Sequence, residues 1–172
     1  MSTSSVPRAD ADLLVTAGGY ERLRTELDTL RRVRRPTLTE QLRETREDGD
    51  ADNPLLFDLL EEQAQLESRI SLLEAQVAAA QVVRHSADGS AGIGSRVRVR
   101  HCESGDVAEY HLVGPIESDV GNGRVSVGAP VGRALLGRMG GDTVVVETPR
   151  GPRQLEILAV TAAGLGDTRE AA

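Results

Sequence analysis

One short acidic segment decides the fold, and it reads Arg46-Glu47-Asp48-Gly49-Asp50-Ala51-Asp52-Asn53-Pro54. Gly49 permits backbone angles that other residues avoid, and Pro54 cannot continue a helix that precedes it. A tight turn is therefore predicted between the two flanking segments, both of which show helical periodicity. Helices joined by so short a turn must run antiparallel. The segment predicts a helical hairpin with three aspartates at its tip, residues 46–54.

The helix before the turn is predicted from an apolar seam with spacings of three, four and three residues. The seam consists of Tyr20, Leu23, Leu27 and Leu30. Thr16 is a candidate N-terminal cap for this helix, which then runs to about Asp48. Pro36 predicts a kink or a brief interruption, because it lacks the amide hydrogen that a helix interior needs.

The helix after the turn shows the same spacing over three heptads. Its seam consists of Leu56, Leu59, Gln63, Leu66, Ile70, Leu73 and Val77. An arm of about 28 residues at 1.5 Å per residue is roughly 40 Å long. Residues 12–84 are therefore predicted to form an antiparallel coiled-coil arm, preceded by a disordered tail at residues 1–11.

The period changes from helical to alternating after a small-residue linker predicted at residues 85–94. Arg96-Val97-Arg98-Val99-Arg100 places valines on one face of a strand and arginines on the other. Further strands are predicted at 107–113, 124–127, 144–147 and 154–158, with a short helix at 131–136. Residues 95–162 thus predict a small antiparallel β domain with one short helix, followed by a tail at 163–172. The fold class is α+β.

Composition excludes several kinds of protein. Aromatic residues make up 2% of the chain, which disfavours one large globular core. A net charge of −7 argues against general DNA binding, and one cysteine excludes an intramolecular disulfide or a thiolate metal cluster. There is no apolar run of membrane-spanning length, no signal-peptide pattern, and no phosphate-loop or Ser/His/Asp set. We expect a cytoplasmic, monomeric protein that is no self-contained enzyme.

The C-terminal half carries a glycine-rich motif at residues 121–137, and Gly141-Asp142 with a Val-rich strand follows it. This order of motifs resembles the Gre family of bacterial transcript cleavage factors, and residues 121–137 closely match the family's C-terminal signature. The Arg35-Pro36 pair and Gly49-Asp50 resemble the family's first arm and tip. The resemblance covers roughly residues 12–160.

The resemblance implies a coiled-coil arm and a C-terminal domain similar to FKBP-type domains. It implies that the C-terminal domain binds RNA polymerase, with Arg133 and Leu135 as candidate docking residues. The arm would enter the polymerase's secondary channel, where tip acids help to hold a catalytic Mg²⁺ and water while the polymerase cuts backtracked RNA. The factor itself would need no cofactor beyond the Mg²⁺ of the polymerase.

At the tip, the resemblance assigns roles residue by residue. Asp50 matches the family's first metal-side acid, and Asp52 is a candidate substitute for the second. Arg46 matches a basic residue behind the tip and would steer the nascent RNA 3′ end. Phe57 stands where the family has tyrosine and is expected to pack at the tip. The plain alternative is a solvated acidic turn, with Asp48 a bystander.

Departures from the family open a second hypothesis. The family's second acid, a glutamate, falls on the uncharged Asn53, Pro54 replaces an asparagine, and Glu61 reverses a basic charge. One hypothesis is stimulation of transcript cleavage. The other is a channel-binding regulator that does not stimulate cleavage and inhibits or tunes transcription. Two interpretations also remain for the arginines of residues 31–35. They contact RNA or an acidic rim of the polymerase, or they form an ordinary solvated face.

Overall fold

A computed structural model describes residues 14–47, 53–83, 88–149 and 151–162. The predictions for both tails, for the centre of the tip with Asp50 and Asp52, and for the start of the linker lie outside the described residues. The chain divides into two compact units. A helical unit comprises residues 20–79, and a sheet unit comprises residues 1–19 together with 80–172.

The helical unit contains the predicted long helix pair. Its elements are α1 (Ala17–Thr29, which starts in the sheet unit), a π-helical turn (Leu30–Arg34), α2 (Arg35–Glu47) and α3 (Pro54–Ala79). Buried leucines and one isoleucine from the two sides of the hairpin form one cluster, as the seam predicted. The buried members are Leu27, Leu38, Leu42, Leu59, Leu66, Ile70 and Leu73.

The interruption predicted at Pro36 takes the form of the π-helical turn. The amide of Arg35 donates to the carbonyl of Leu30, five residues earlier, instead of four. A proline in the next position has no amide to donate, and its ring crowds the carbonyl four residues before it. Widening one turn accommodates the ring while the helix axis continues into α2.

The sheet unit contains a two-stranded and a five-stranded sheet. In the first, β1 (Leu14–Thr16) pairs in parallel with β2 (Gln81–Val83). The strands of the second are β3 (Ser95–His101), β4 (Val107–Val113), β5 (Arg124–Ser126), β6 (Thr143–Thr148) and β7 (Gly151–Ala162), in the order β5-β4-β3-β7-β6. The short helix α4 (Pro130–Leu135) follows β5.

The α+β architecture is confirmed, but the larger sheet is mixed and not purely antiparallel. β5 pairs with β4 in parallel, with His111 opposite Arg124. Two short 3-10 turns, Pro115–Glu117 and Val120–Asn122, lie between these strands and let the chain cross back before β5 begins. Gly123 closes the second turn with a φ of 70°. The glycine-rich segment therefore ends a crossover and does not make a hairpin.

The core of the sheet unit lies on the face formed by the valines of β3. It includes Val97, Val99, Leu112, Leu135 and Ile157. Two residues of the predicted linker, Ala91 and Ile93, are buried in this core and are 1% and 7% exposed. The pair β1–β2 was also missed: three-residue strands are too short to show a period, and their partners lie far apart in sequence.

Among the described residues, no helix combines the length and the apolar character that crossing a membrane requires. The amphipathic helices of the hairpin instead bury one stripe of side chains against each other.

Gly132 in α4 makes a close backbone approach that generates a prediction. A Cβ at this position would lie 2.0 Å from the carbonyl oxygen of Ser126, which is backbone and cannot swing aside. We expect Gly132→Ala to destabilise the protein by about 2 kcal/mol or more, as overpacked sites do. Urea unfolding of the full chain, followed by far-UV circular dichroism, measures the change.

Gly92→Ala is the matched control for this prediction. A Cβ there would meet nothing within 4 Å, so its unfolding midpoint should stay near that of the wild type. Equal midpoints for the two variants would show that α4 shifts freely against β5.

Candidate functional site

The end of the hairpin is framed by the last turn of α2 and the first turn of α3. Arg46 lies in the last turn of α2, where its side chain is exposed. Among the described residues it has no ion-pair partner. Residues 48–52, with Asp50 and Asp52, connect the two helices and lie outside the described residues, so the structure shows only what flanks them.

Asn53 caps the second helix of the hairpin. The amide of Leu55 donates to Asn53 Oδ1 at 3.0 Å, and the amide of Leu56 donates to the Asn53 carbonyl at 3.0 Å. Pro54 occupies the first helical position, where a missing amide hydrogen costs nothing. The Asn53-Pro54 pair therefore starts α3, and the side-chain oxygen of Asn53 serves the helix backbone.

Phe57 does not pack within the described part of the hairpin. Its exposed fraction is 64%, against the expectation that it packs at the tip. The seam runs through Leu56 and Leu59, and Phe57 lies one residue, or about 100°, away from Leu56 around the helix. Leu55 is exposed on the same turn. The end of the arm thus presents apolar surface beside its acidic turn.

The net charge of the chain is concentrated around the tip. Residues 40–62 contain nine acids and two arginines, a net charge of −7 that equals the net charge of the whole chain. One of the two arginines, Arg43, donates to Glu40 and Glu47 on its own helix. Such an excess of negative charge attracts cations and repels the phosphates of RNA. Arg46 is the remaining cation here.

No group of three or more His, Cys, Asp and Glu side chains is arranged to hold a metal ion within the described ranges. The donor chemistry predicted for the tip, carboxylate oxygens on a short turn, is the kind that Mg²⁺ accepts. Asp50 and Asp52 therefore remain the candidate ligands on chemical grounds.

The arginine cluster before Pro36 is engaged in ion pairs along the hairpin. Arg31, Arg34 and Arg35 pair with Glu74, Glu62 and Glu67 of α3, and Arg32 lies 3.9 Å from Asp28. The hydrogen bonds that the Arg35 guanidinium donates to the Glu67 carboxylate are the main cause that raises the pKa of Arg35. These contacts favour a structural role over contact with RNA. The sequence contains a sign of this pairing, because the second helix carries glutamates at the positions that face these arginines.

The two predicted docking residues differ in exposure. Arg133 is exposed in the last turn of α4. Leu135 is 0% exposed and belongs to the core, so its side chain offers no surface to a partner. The helical period explains the difference, because residues two positions apart lie on opposite sides of a short helix. Leu135 is therefore a packing residue.

Sequence reasoning missed Glu117, a buried carboxylate. It accepts hydrogen bonds from the backbone amide and the hydroxyl of Thr16, both at 2.6 Å. Its partner lies 101 residues away in sequence, which no local pattern reveals.

Comparison with protein families accounts for both halves of the chain. The family model described as "Transcription elongation factor, GreA/GreB, C-term" matches residues 86–162, and "Transcription elongation factor, N-terminal" matches residues 13–82. The chain belongs to the GreA/GreB family of transcription elongation factors. Factors of this family are not themselves catalysts but act on RNA polymerase, which is the partner that membership implies.

Individual relatives agree with this assignment. The chain is 39% identical over 150 residues to a transcription elongation factor GreA from Anaeromyxobacter sp. (strain K), covering 85% of this chain and 90% of that protein. It is 38% identical to a GreA from Syntrophobacter fumaroxidans, covering 85% of this chain and 96% of the relative.

Solved structures of Gre homologues also match. GreA factor homolog 1 (Gfh1) of Thermus thermophilus is 31% identical, covering 88% of this chain and 99% of that chain, with a TM-score of 0.41. A GreA/GreB factor from Nitrosomonas europaea is 26% identical, covering 87% and 98%, with a TM-score of 0.39.

Near the tip of this Gre factor, Arg43 generates a pH prediction. Its hydrogen bonds to Glu40, at 2.6 and 3.1 Å, lower the pKa of that carboxyl from its ordinary 4.5. A carboxyl whose pKa is lowered by folding adds stability above its unfolded pKa, and this contribution is lost as the pH falls through the folded value. Carbon-detected NMR titration of the full chain should give a Glu40 midpoint below 4.5.

Arg43→Gln should move the Glu40 midpoint upward, because the charged donor is gone. Arg24→Gln is the control, since Arg24 pairs with Glu21 far along the arm and should leave Glu40 unchanged. A midpoint that ignores Arg43→Gln would mean that the pair does not persist in solution.

Proposed function

We propose that this Gre factor stimulates the intrinsic RNA cleavage activity of RNA polymerase. In this proposal the sheet unit docks on the polymerase, with Arg133 as a contact, and the helical hairpin enters the secondary channel. The observation that carries the proposal is the match of both family models, one to each half of the chain. The hairpin supports it, since α2 ends and α3 begins at either side of one acidic segment, residues 48–52.

The tip residues have distinct tasks in this proposal. Asp50 and Asp52 place carboxylate oxygens beside the Mg²⁺ of the polymerase and orient the attacking water. When bound there, the metal supplies water activation and stabilises the leaving oxygen. Arg46, the cation of this region with no ion pair among the described residues, receives the RNA 3′ end. The exposed ring of Phe57 contacts the channel wall.

One observation favours a second candidate, a channel-binding regulator that does not stimulate cleavage. Asn53 stands at the position of the family's second acid, and its oxygen already accepts from the amide of Leu55 at 3.0 Å. A neutral side chain that is occupied in capping a helix is a poor substitute for a carboxylate ligand. In this case the acidic arm would occlude the channel and slow nucleotide addition.

Transcript cleavage on a stalled, backtracked polymerase complex tests the proposal. At neutral pH with Mg²⁺, the wild-type factor should accelerate cleavage, and Asp50→Asn or Asp52→Asn should lower the accelerated rate by about tenfold or more. These changes keep the side-chain shape and remove only the charge. Asp48→Asn is the matched control and should behave as the wild type.

The same reactions separate the two candidates. Slower nucleotide addition with no acceleration of cleavage would establish the regulator and reject the stimulator. Failure of the full chain to bind polymerase would reject both.

Asn53→Asp probes the divergent position without removing the cap. Aspartate also caps helices well, and its negative charge is favourable at a helix N-terminus. We therefore expect unfolding by urea to require at least as much denaturant as for the wild type, and cleavage to be faster. Asn53→Ser, which caps but carries no charge, is the control. Equal cleavage rates for the two variants would show that charge at this position does not matter.

A further inference from the structure

A buried carboxylate lies where the chain enters the arm. Glu117 ends the 3-10 turn between β4 and β5 and is 7% exposed. Removing a carboxylate from water is costly unless hydrogen bonds replace those made by the solvent. Surface positions tolerate glutamate at no such cost. The residues that Glu117 contacts therefore show which part of the structure the buried carboxylate stabilises.

Both oxygens of Glu117 bind the same residue. Oε2 accepts from the backbone amide of Thr16, and Oε1 accepts from the Thr16 hydroxyl, each at 2.6 Å. The Thr16 hydroxyl oxygen in turn accepts from the amide of Gly19 at 2.9 Å, as the cap of α1. A carboxylate fits this arrangement because it offers two acceptors side by side. Bonds to a charged acceptor are also stronger than neutral ones.

Two glycines make room for this arrangement. A Cβ at Gly19 would lie 1.8 Å from Glu117 Oε1, and a Cβ at Gly114 would lie 1.7 Å from the carbonyl oxygen of Leu14. On the same segment Val15 is fully buried and pairs with Val82 of β2. Residues 14–19 are therefore held by a strand pairing, by close backbone packing and by the carboxylate together.

The held segment is the start of the arm's first helix. α1 begins at Ala17 in the sheet unit and runs to Thr29 in the helical unit. The first amides of a helix have no partners within the helix, and an uncapped end frays. The path from Ala17 to Glu47 is about 45 Å long at 1.5 Å per residue.

We infer that Glu117 is a positioning residue for the action of the arm on RNA polymerase. It keeps the first turn of α1 formed, and so it governs the effect of the tip after docking and leaves docking itself unchanged. This inference rests on the function proposed above. It predicts that a change at Glu117 lowers the maximal effect of the factor on RNA polymerase. The concentration of factor that gives half of this effect should change little.

The test uses the full-length factor in the backtracked-complex assay, titrated over concentration. Glu117→Gln keeps the shape but replaces one acceptor with a donor, and Thr16→Val removes only the hydroxyl. Each should lower the maximal effect by about tenfold, because small misplacements at a reacting centre are costly. The concentration for half-maximal effect should stay within about twofold. Thr16→Ser should have the maximal effect of the wild type, since serine retains the hydroxyl that Thr16→Val removes.

A second measurement reports the first turn directly. Amide hydrogen exchange at residues 16–19 should become about tenfold faster in Glu117→Gln, while exchange in β3 stays unchanged. Glu109→Gln is the matched control: this carboxylate is exposed and pairs with Arg96 at 3.0 Å on the sheet. It should alter neither the assay nor the exchange of residues 16–19.

Several results would overturn the inference. Wild-type maximal effects in both Glu117→Gln and Thr16→Val would do so, as would Thr16→Ser behaving like Thr16→Val. Parallel loss of affinity and maximal effect would point to general damage to the sheet unit and would reject a positioning role. A wild-type factor that binds polymerase yet changes neither cleavage nor nucleotide addition would reject the proposed function, and the positioning role with it.

Discussion

The helical hairpin depends on one apolar seam, which the two sides of the hairpin bury against each other in the described part of the arm. Several hydrophobic residues at this seam are only partly buried, among them Leu23, Leu30 and Leu56. Arginine–glutamate pairs lie beside this seam, including Arg31 with Glu74, Arg34 with Glu62, and Arg69 with Glu26. Exposed pairs contribute little singly. Arginine side chains also have aliphatic stems that can cover apolar surface beside such a seam.

This constraint explains where the arm has charge available for a partner. Three of the four arginines in residues 31–35 pair with glutamates of the opposite helix. Among the described residues, the cross-helix pair nearest the tip is Arg34 with Glu62, and the acids of residues 40–62 exceed the arginines by the full net charge of the chain. The rest of the arm, residues 20–39 and 63–79, carries a net charge of +2, so the negative charge of the arm lies at its end. Such an arm favours a destination that contains cations over one lined by phosphates.

The parts of this structure that a sequence reveals are those governed by local periods. Leucines three and four residues apart predicted the hairpin, and alternating valines predicted β3. The parallel pairing of β5 with β4, the strand pair β1–β2 and the bond between Thr16 and Glu117 all join residues distant in sequence. Burial is likewise set by contacts between distant segments. The sequence motif presents Arg133 and Leu135 as equal docking candidates, but in the fold Arg133 is exposed and Leu135 is buried.

At the tip, the structural and chemical demands on one short segment compete for the same side chains. The helix after the turn needs an acceptor at its N-terminus, and Asn53 supplies it. A carboxylate at that position could cap the helix and still keep a second oxygen for a metal, whereas an amide offers one acceptor and one donor group. In the proposed function, the charge for metal binding comes from Asp50 and Asp52, in the segment between the two helices. The choice between stimulating cleavage and occluding the channel would then depend on these two carboxylates, since Asn53 is neutral and caps α3.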